Sequence, residues 1–168
     1  MKLTPVERWI LANQYQLLEL MDPENKTHYE KVRIILERGY EFLYDDEACP
    51  IYQDTFSFEE GKLVVDILDM FRGITVSLKK IEDQSGLPLD RLKFDGFDGN
   101  NEGKYMLFAE FFCEKLKRFE EITKNLASFN SHTRRLQEYV NMFVFWKGDP
   151  NPFELSRESL LSIAEARY

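Results

Sequence analysis

The sequence predicts an all-α fold, a single multihelical domain of about six helices over residues 1–168. Three observations carry that reading. Thr4-Pro5-Val6-Glu7 and Ser57-Phe58-Glu59-Glu60 are capping boxes, in which a hydroxyl accepts from the amide three residues on and the glutamate reaches back. Apolar residues then recur at the spacing of a helix face, most regularly from Val64 to Ile81. Glycines and prolines fall where those stripes stop, at Gly39, Gly86-Leu87-Pro88 and Gly148-Asp149-Pro150.

The first helix opens at Thr4 with proline in its first position. Val6, Trp9, Ile10, Leu17, Leu20 and Met21 form its stripe, and it is expected to end at Met21. Asp22-Pro23 reads as the cap and first residue of a second helix, with Tyr29, Val32, Ile35 and Leu36 inward and Gly39 as a left-handed stop. So short a joint predicts a helical hairpin. Residues 40–56 lose the pattern and read as an irregular connection with room for a short helical piece.

Ser57 opens the central helix, with Val64, Ile67, Leu68, Phe71, Ile74, Thr75, Leu78 and Ile81 on one face and Val65, Met70 and Val76 widening it. Gly86 and Pro88 are expected to end it. Residues 87–101 form a Gly/Asp-rich loop, after which Asn100 or Asn101 caps a helix carrying Tyr105, Phe108, Phe111, Phe112, Leu116, Phe119 and Ile122. Asn130 caps the next, with Leu136, Tyr139, Val140, Phe143 and Trp146, and Ser156 starts a short last helix.

Thirty acidic against 22 basic residues give a net charge of −8, and the basic groups from Lys115 to Arg135 alternate with glutamates. A protein gripping a phosphate backbone shows a basic stripe instead, so the balance argues against nucleic acid. The longest apolar run, Met142–Trp146, is far below the roughly 20 residues of a membrane span. The start of the sequence turns polar at Lys2 and Thr4, without the long apolar core expected of a signal peptide, and Cys49 and Cys113 have no framework or metal-knuckle spacing. Both read as buried thiols of a cytoplasmic protein.

No cofactor or metal motif survives inspection. Gly99-Asn100-Asn101-Glu102-Gly103-Lys104-Tyr105 imitates a phosphate loop, but three residues separate its glycines rather than four. Asp98, Asn100, Glu102 and Gly103 imitate a calcium loop, but Ala109 stands where the bidentate glutamate belongs. Asp66, Asp69 and Arg72 share a face of the central helix, and together with His132 they are the candidate ligand-binding set. His132 is expected in the first turn of a helix, beside Ser131 but pointing away from it. The aromatic surplus in the last two long helices marks Phe111, Phe112, Phe145 and Trp146 as candidate interface residues.

Several blocks in order resemble the YfbU-like family of bacterial proteins: Arg8-Trp9-Ile10-Leu11-Ala12-Asn13-Gln14-Tyr15, Ile35-Leu36-Glu37-Arg38-Gly39-Tyr40, Val65-Asp66-Ile67-Leu68-Asp69-Met70-Phe71-Arg72, Phe94-Asp95-Gly96-Phe97-Asp98, Asn130-Ser131-His132 and Leu155-Ser156. The resemblance implies a small helical protein with no established reaction, substrate or cofactor. It also implies that longer relatives place a ribbon-helix-helix DNA-binding segment ahead of this region. Here the chain opens directly at the first capping box, which weighs against a DNA-binding role.

The function expected is that of a non-enzymatic, self-assembling interaction or regulatory domain, a homo-oligomer with room for a protein partner. The alternative is a small-ligand binder or enzyme using the helix-borne Asp/Arg set.

Overall fold

The computed structural model describes residues 2–48 and 55–167, all helix and loop apart from one isolated bridge between Phe97 and Asn130. The chain divides into two compact units, Met1–Thr55 and Phe56–Tyr168. Cys49 and residues 50–54 of the 40–56 connection lie outside the described residues.

In the first unit, α1 (Pro5–Met21) and α2 (Lys26–Arg38) form the expected hairpin. The Thr4 hydroxyl accepts from the Glu7 amide at 3.3 Å, and the Glu7 carboxylate accepts from the Thr4 amide at 2.7 Å. That backbone bond holds the Glu7 carboxyl below its ordinary pKa. Asp22 departs from expectation. It makes no capping bond; its carboxylate accepts from Asn25 Nδ2 and the Tyr29 hydroxyl, both at 2.9 Å, and a 3-10 turn (Pro23–Asn25) precedes α2. A rigid proline turn brings those two side-chain donors within reach, so the carboxylate braces the hairpin instead.

Ala12, Val32, Ile35, Leu36 and Tyr44 are buried between the two helices, with Leu11 and Tyr15 beside them. Arg33 bridges Glu19 at 2.5 Å and Glu37 at 2.9 Å, tying the helices at the edge of that core. Gly39 ends α2 with φ +69°, and the Tyr40 amide donates to the Ile35 carbonyl at 3.1 Å. A Cβ there would stand 2.5 Å from Arg8 Nη1, which itself donates to the Leu36 carbonyl. Residues 41–48 make one 3-10 and one π turn, the short helical piece the connection had room for.

In the second unit, α3 (Phe58–Lys80) is the central helix, and α4 (Gly103–Glu110), α5 (Glu120–Thr123) and α6 (Leu136–Gly148) all pack on it. Val64, Ile67, Leu68, Met70, Phe71 and Ile74 are buried along its length. It stops at Lys80, six residues short of Gly86, with the side chain of Gln84 donating to the Leu78 carbonyl at 2.7 Å. One amide side chain thus ends the helix before the glycine is reached. α7 (Arg157–Glu165) starts at Ser156, whose hydroxyl accepts from the Ser159 amide, and buries Leu160, Ile163 and Ala164.

The helix expected over 105–122 is broken. α4 runs into a π turn (Phe111–Lys115), and Lys117 and Phe119 adopt left-handed backbones (φ +55° and +58°) before α5. Glu114 to Arg118 are all exposed, so no packing sustains the helix there, while Phe119 turns back into the core. The loop after α3 is more buried than its composition suggests. Phe94 and Phe97 join Phe71 and Tyr139 in a ring cluster with centroids 4.9–5.7 Å apart.

Gly39→Ala should cost about 1–2 kcal/mol, the price of a left-handed backbone with a Cβ, before any displacement of Arg8. Urea unfolding of the two proteins measures it.

Candidate functional site

Glu102 sets the local architecture of the second unit. Its carboxylate is 7% exposed and accepts from three backbone amides, those of Asp98 (3.1 Å), Arg135 (3.0 Å) and Leu136 (2.9 Å). The last two are the opening donors of α6, which has no side-chain cap of its own.

Asn130, the expected cap, lies further back and accepts from the amides of Gly99 (3.0 Å) and His132 (2.9 Å). His132 therefore precedes α6 instead of opening it, in a left-handed turn with φ +55° and its side chain exposed. One short-range signal misled here. An asparagine before an apolar stripe suggests a cap, but the carboxylate that serves is more than thirty residues away in sequence.

The residues that imitated a calcium loop are engaged in the same framework. Asp98 is buried and accepts from Asn101 Nδ2 at 2.5 Å and the Asn100 amide at 3.0 Å, and these bonds, the side-chain one foremost, hold its carboxyl below the ordinary range. Among the described residues, no group of three or more His, Cys, Asp or Glu side chains is placed to hold a metal ion.

The candidate ligand set separates. Asp66 pairs with Lys62 at 2.5 Å, one turn away on α3. Asp69 lies 3.4 Å from Arg72, and Arg72 Nε also donates to Glu121 on α5 while its guanidinium sits 4.0 Å over the Phe119 ring. Burial raises the Asp69 carboxyl, with Arg72 pulling against it. Burial also pushes Glu121 upward, but the bonds from Arg72 and the backbone win and its pKa is lowered. Arg72 is thus a clamp between α3 and α5, with two carboxylates and a ring already on it.

His132 stands apart from that clamp. It lines an open groove of about 860 Å³ together with Glu121, Arg135, Lys93, Asn125 and Phe94, whereas Asp66, Asp69 and Arg72 do not. Arg135 bonds Glu138 at 2.8 Å, and its buried Nε has no hydrogen-bond partner.

A second guanidinium is buried more deeply. Arg167 is 2% exposed, donates to Glu138 (2.9 Å), Asp95 (2.7 Å) and the Arg91 carbonyl (2.8 Å), and lies 5.6 Å over the Tyr139 ring. Burial alone would lower its pKa; the two carboxylates more than offset that, and it is raised. Nothing in the sequence pattern singled this residue out, because its partners lie between 29 and 76 positions back in the chain. Cys113 is buried as expected, and desolvation, helped by Glu114 and Glu121, pushes its thiol up to about 12. It is a packing residue without thiolate character at neutral pH.

The candidate interface residues divide evenly. Phe111 and Phe145 are exposed, Phe112 is half-buried against Phe108, and Trp146 is buried with its Nε1 donating to the Pro152 carbonyl at 2.7 Å. Gly73 allows that approach, since a Cβ there would stand 2.5 Å from the Pro152 oxygen.

Among the described residues, a further run of exposed large apolar side chains lies on α1. Val6, Trp9, Ile10, Leu17, Leu20 and Met21 were expected to face a core; all six are exposed, Trp9 at 69%, Leu20 at 76% and Met21 at 80%. The helix meets α2 through its other side, where Arg8, Leu11, Ala12, Tyr15 and Glu19 lie. At about 100° per residue, the six exposed side chains fall within an arc of roughly 120° opposite that contact. The helical period was right, and the face was wrong, because Ala12 permits a close approach that the larger side chains do not.

Such an arrangement defines a multihelical protein whose charged clusters brace its own elements and whose first helix exposes an apolar stripe. The chain belongs to the YfbU family: the YfbU domain model matches residues 1–166. It is similar to UPF0304 protein MJECS11 of Methanocaldococcus jannaschii, with 36% identity over 170 residues, covering 98% of this chain and 99% of that one.

Glu102→Ala should cost about 2–4 kcal/mol, because buried amides lose a charged acceptor, and Glu102→Asp should recover only part of it. Thermal unfolding of both variants, followed by far-UV dichroism, checks this.

Proposed function

We propose that this chain is a non-enzymatic, self-assembling interaction domain of the cytoplasm, and that α1 is the surface through which copies meet. The exposed stripe on α1 is the observation that carries the reading. Trp9 is of the size that buries about 150–250 Å², and with five aliphatic side chains beside it each at least half exposed, the stripe offers several hundred square ångströms. A standard interface takes about 800 Å² from each partner, and a monomer's largest apolar patch is about 300–600 Å². Most oligomers of a single chain are closed and symmetric, which makes a second copy the simplest occupant.

The alternative, a ligand or reaction centred on Asp66, Asp69 and Arg72, has less support. Those side chains already satisfy one another or their neighbours, and Arg72 would have to leave Glu121 and Phe119 to meet a ligand.

Sedimentation velocity between about 1 and 100 μM, the range of ordinary transient interfaces, should show reversible association. Leu20→Glu puts a charge in the stripe without touching the α1–α2 core, and should weaken association at least tenfold while leaving the dichroism spectrum unchanged. Association that persists unchanged in Leu20→Glu would remove α1 from the interface.

A further inference from the structure

Four of the six exposed side chains of the α1 stripe are placed symmetrically about Asn13, while Ile10 and Met21 have Gln16 and Pro5 at the mirrored positions. Val6 and Leu20 lie seven residues before and after Asn13, and Trp9 and Leu17 lie four before and after it. Asn13 is itself exposed and sits within the stripe, the one polar residue on its midline. From Trp9 to Leu18 the helix carries no charged side chain at all, and depletion of charge is the compositional mark of an interface centre.

A pattern symmetric about its middle matches itself when a second copy runs the opposite way. Resting on the self-association reading above, we infer that α1 pairs with α1 of a second copy in antiparallel orientation, with Asn13 at the two-fold axis. That register sets Val6 against Leu20 of the second copy and Trp9 against Leu17. Each Asn13 amide can then donate to the other's carbonyl oxygen, leaving neither unpaired in an apolar seam. A single asparagine in such a seam penalises shifted registers, because any slip buries the amide against a hydrocarbon side chain. Opposed helices also set their dipoles head to tail, whereas a parallel pair would align them.

The geometry has a linear consequence. Val6 and Leu20 are about 21 Å apart along the helix axis. In the antiparallel pair each faces the other across the seam; in a parallel pair each faces its own copy.

The test is disulfide trapping in a background carrying Cys49→Ser and Cys113→Ala, with far-UV dichroism confirming the helical content. Val6→Cys and Leu20→Cys chains bearing different tags are co-expressed and oxidised, and each is also oxidised alone. The proposal expects the mixed dimer to be the main product, at least tenfold above either chain linked to itself. Asn13→Cys alone should link to its own copy. Self-linked Val6→Cys and self-linked Leu20→Cys would show a parallel pair and overturn the register. A dimer by sedimentation that links at none of the three positions would overturn pairing through α1 and leave self-association standing. A protein that sediments as a monomer throughout would overturn both.

Discussion

A helix packed against a single neighbour can hide only the arc that neighbour touches. α1 meets this limit because its small and polar side, centred on Ala12, is the one turned to α2. Close approach at Ala12 lets Arg8 reach the end of α2 and Glu19 reach Arg33, so the contact is fixed at both ends by polar bonds. The larger side chains, from Val6 to Met21, are left on the far side. Exposed hydrocarbon on this scale normally marks a surface that something covers, and the self-association reading follows from that constraint.

The second unit is organised on a different principle. Its core is aromatic and its loops are long, so backbone groups at the helix ends need partners from outside the helix. Glu102 supplies them for α6, and Gln84 does so for the end of α3. Arg167 crosses three segments at once, bonding Asp95, Glu138 and the carbonyl of Arg91. Buried charges of this kind need several bonds each to balance their desolvation. The carboxylates of the candidate site are engaged more locally: Asp66 pairs with Lys62 and Asp69 with Arg72 along α3 itself, and only Glu121 carries the Arg72 contact across to α5.

Much of this fold was legible in the sequence because its signals are local. Both capping boxes, the Gly39 stop, the Ser156 start and the buried face of α3 each depend on residues within one or two turns. The errors arise where side-chain bonds or packing override the local pattern. The cap of α6 comes from a carboxylate more than thirty residues away, and the break before Phe119 follows from packing; the early end of α3 is a local bond from Gln84 that the glycine and proline beyond it masked. Periodicity also located the stripe on α1 without saying which way it faces, since a helix apolar on one side and small on the other can bury either. Of the candidate site, the Asp69–Arg72 pair was visible from its spacing; Glu121 and Phe119, which complete the clamp, were not.

The central claim, that the stripe on α1 is covered by a second copy, is tested most directly at Trp9. The chain has only two tryptophans, and Trp146 is buried within the second unit, so the difference between the protein and Trp9→Phe isolates the Trp9 signal. Acrylamide quenching of that signal should fall as concentration rises through the association range, and recover on dilution. Quenching that stays high and unchanged at every concentration would mean Trp9 remains in water, and would contradict the account.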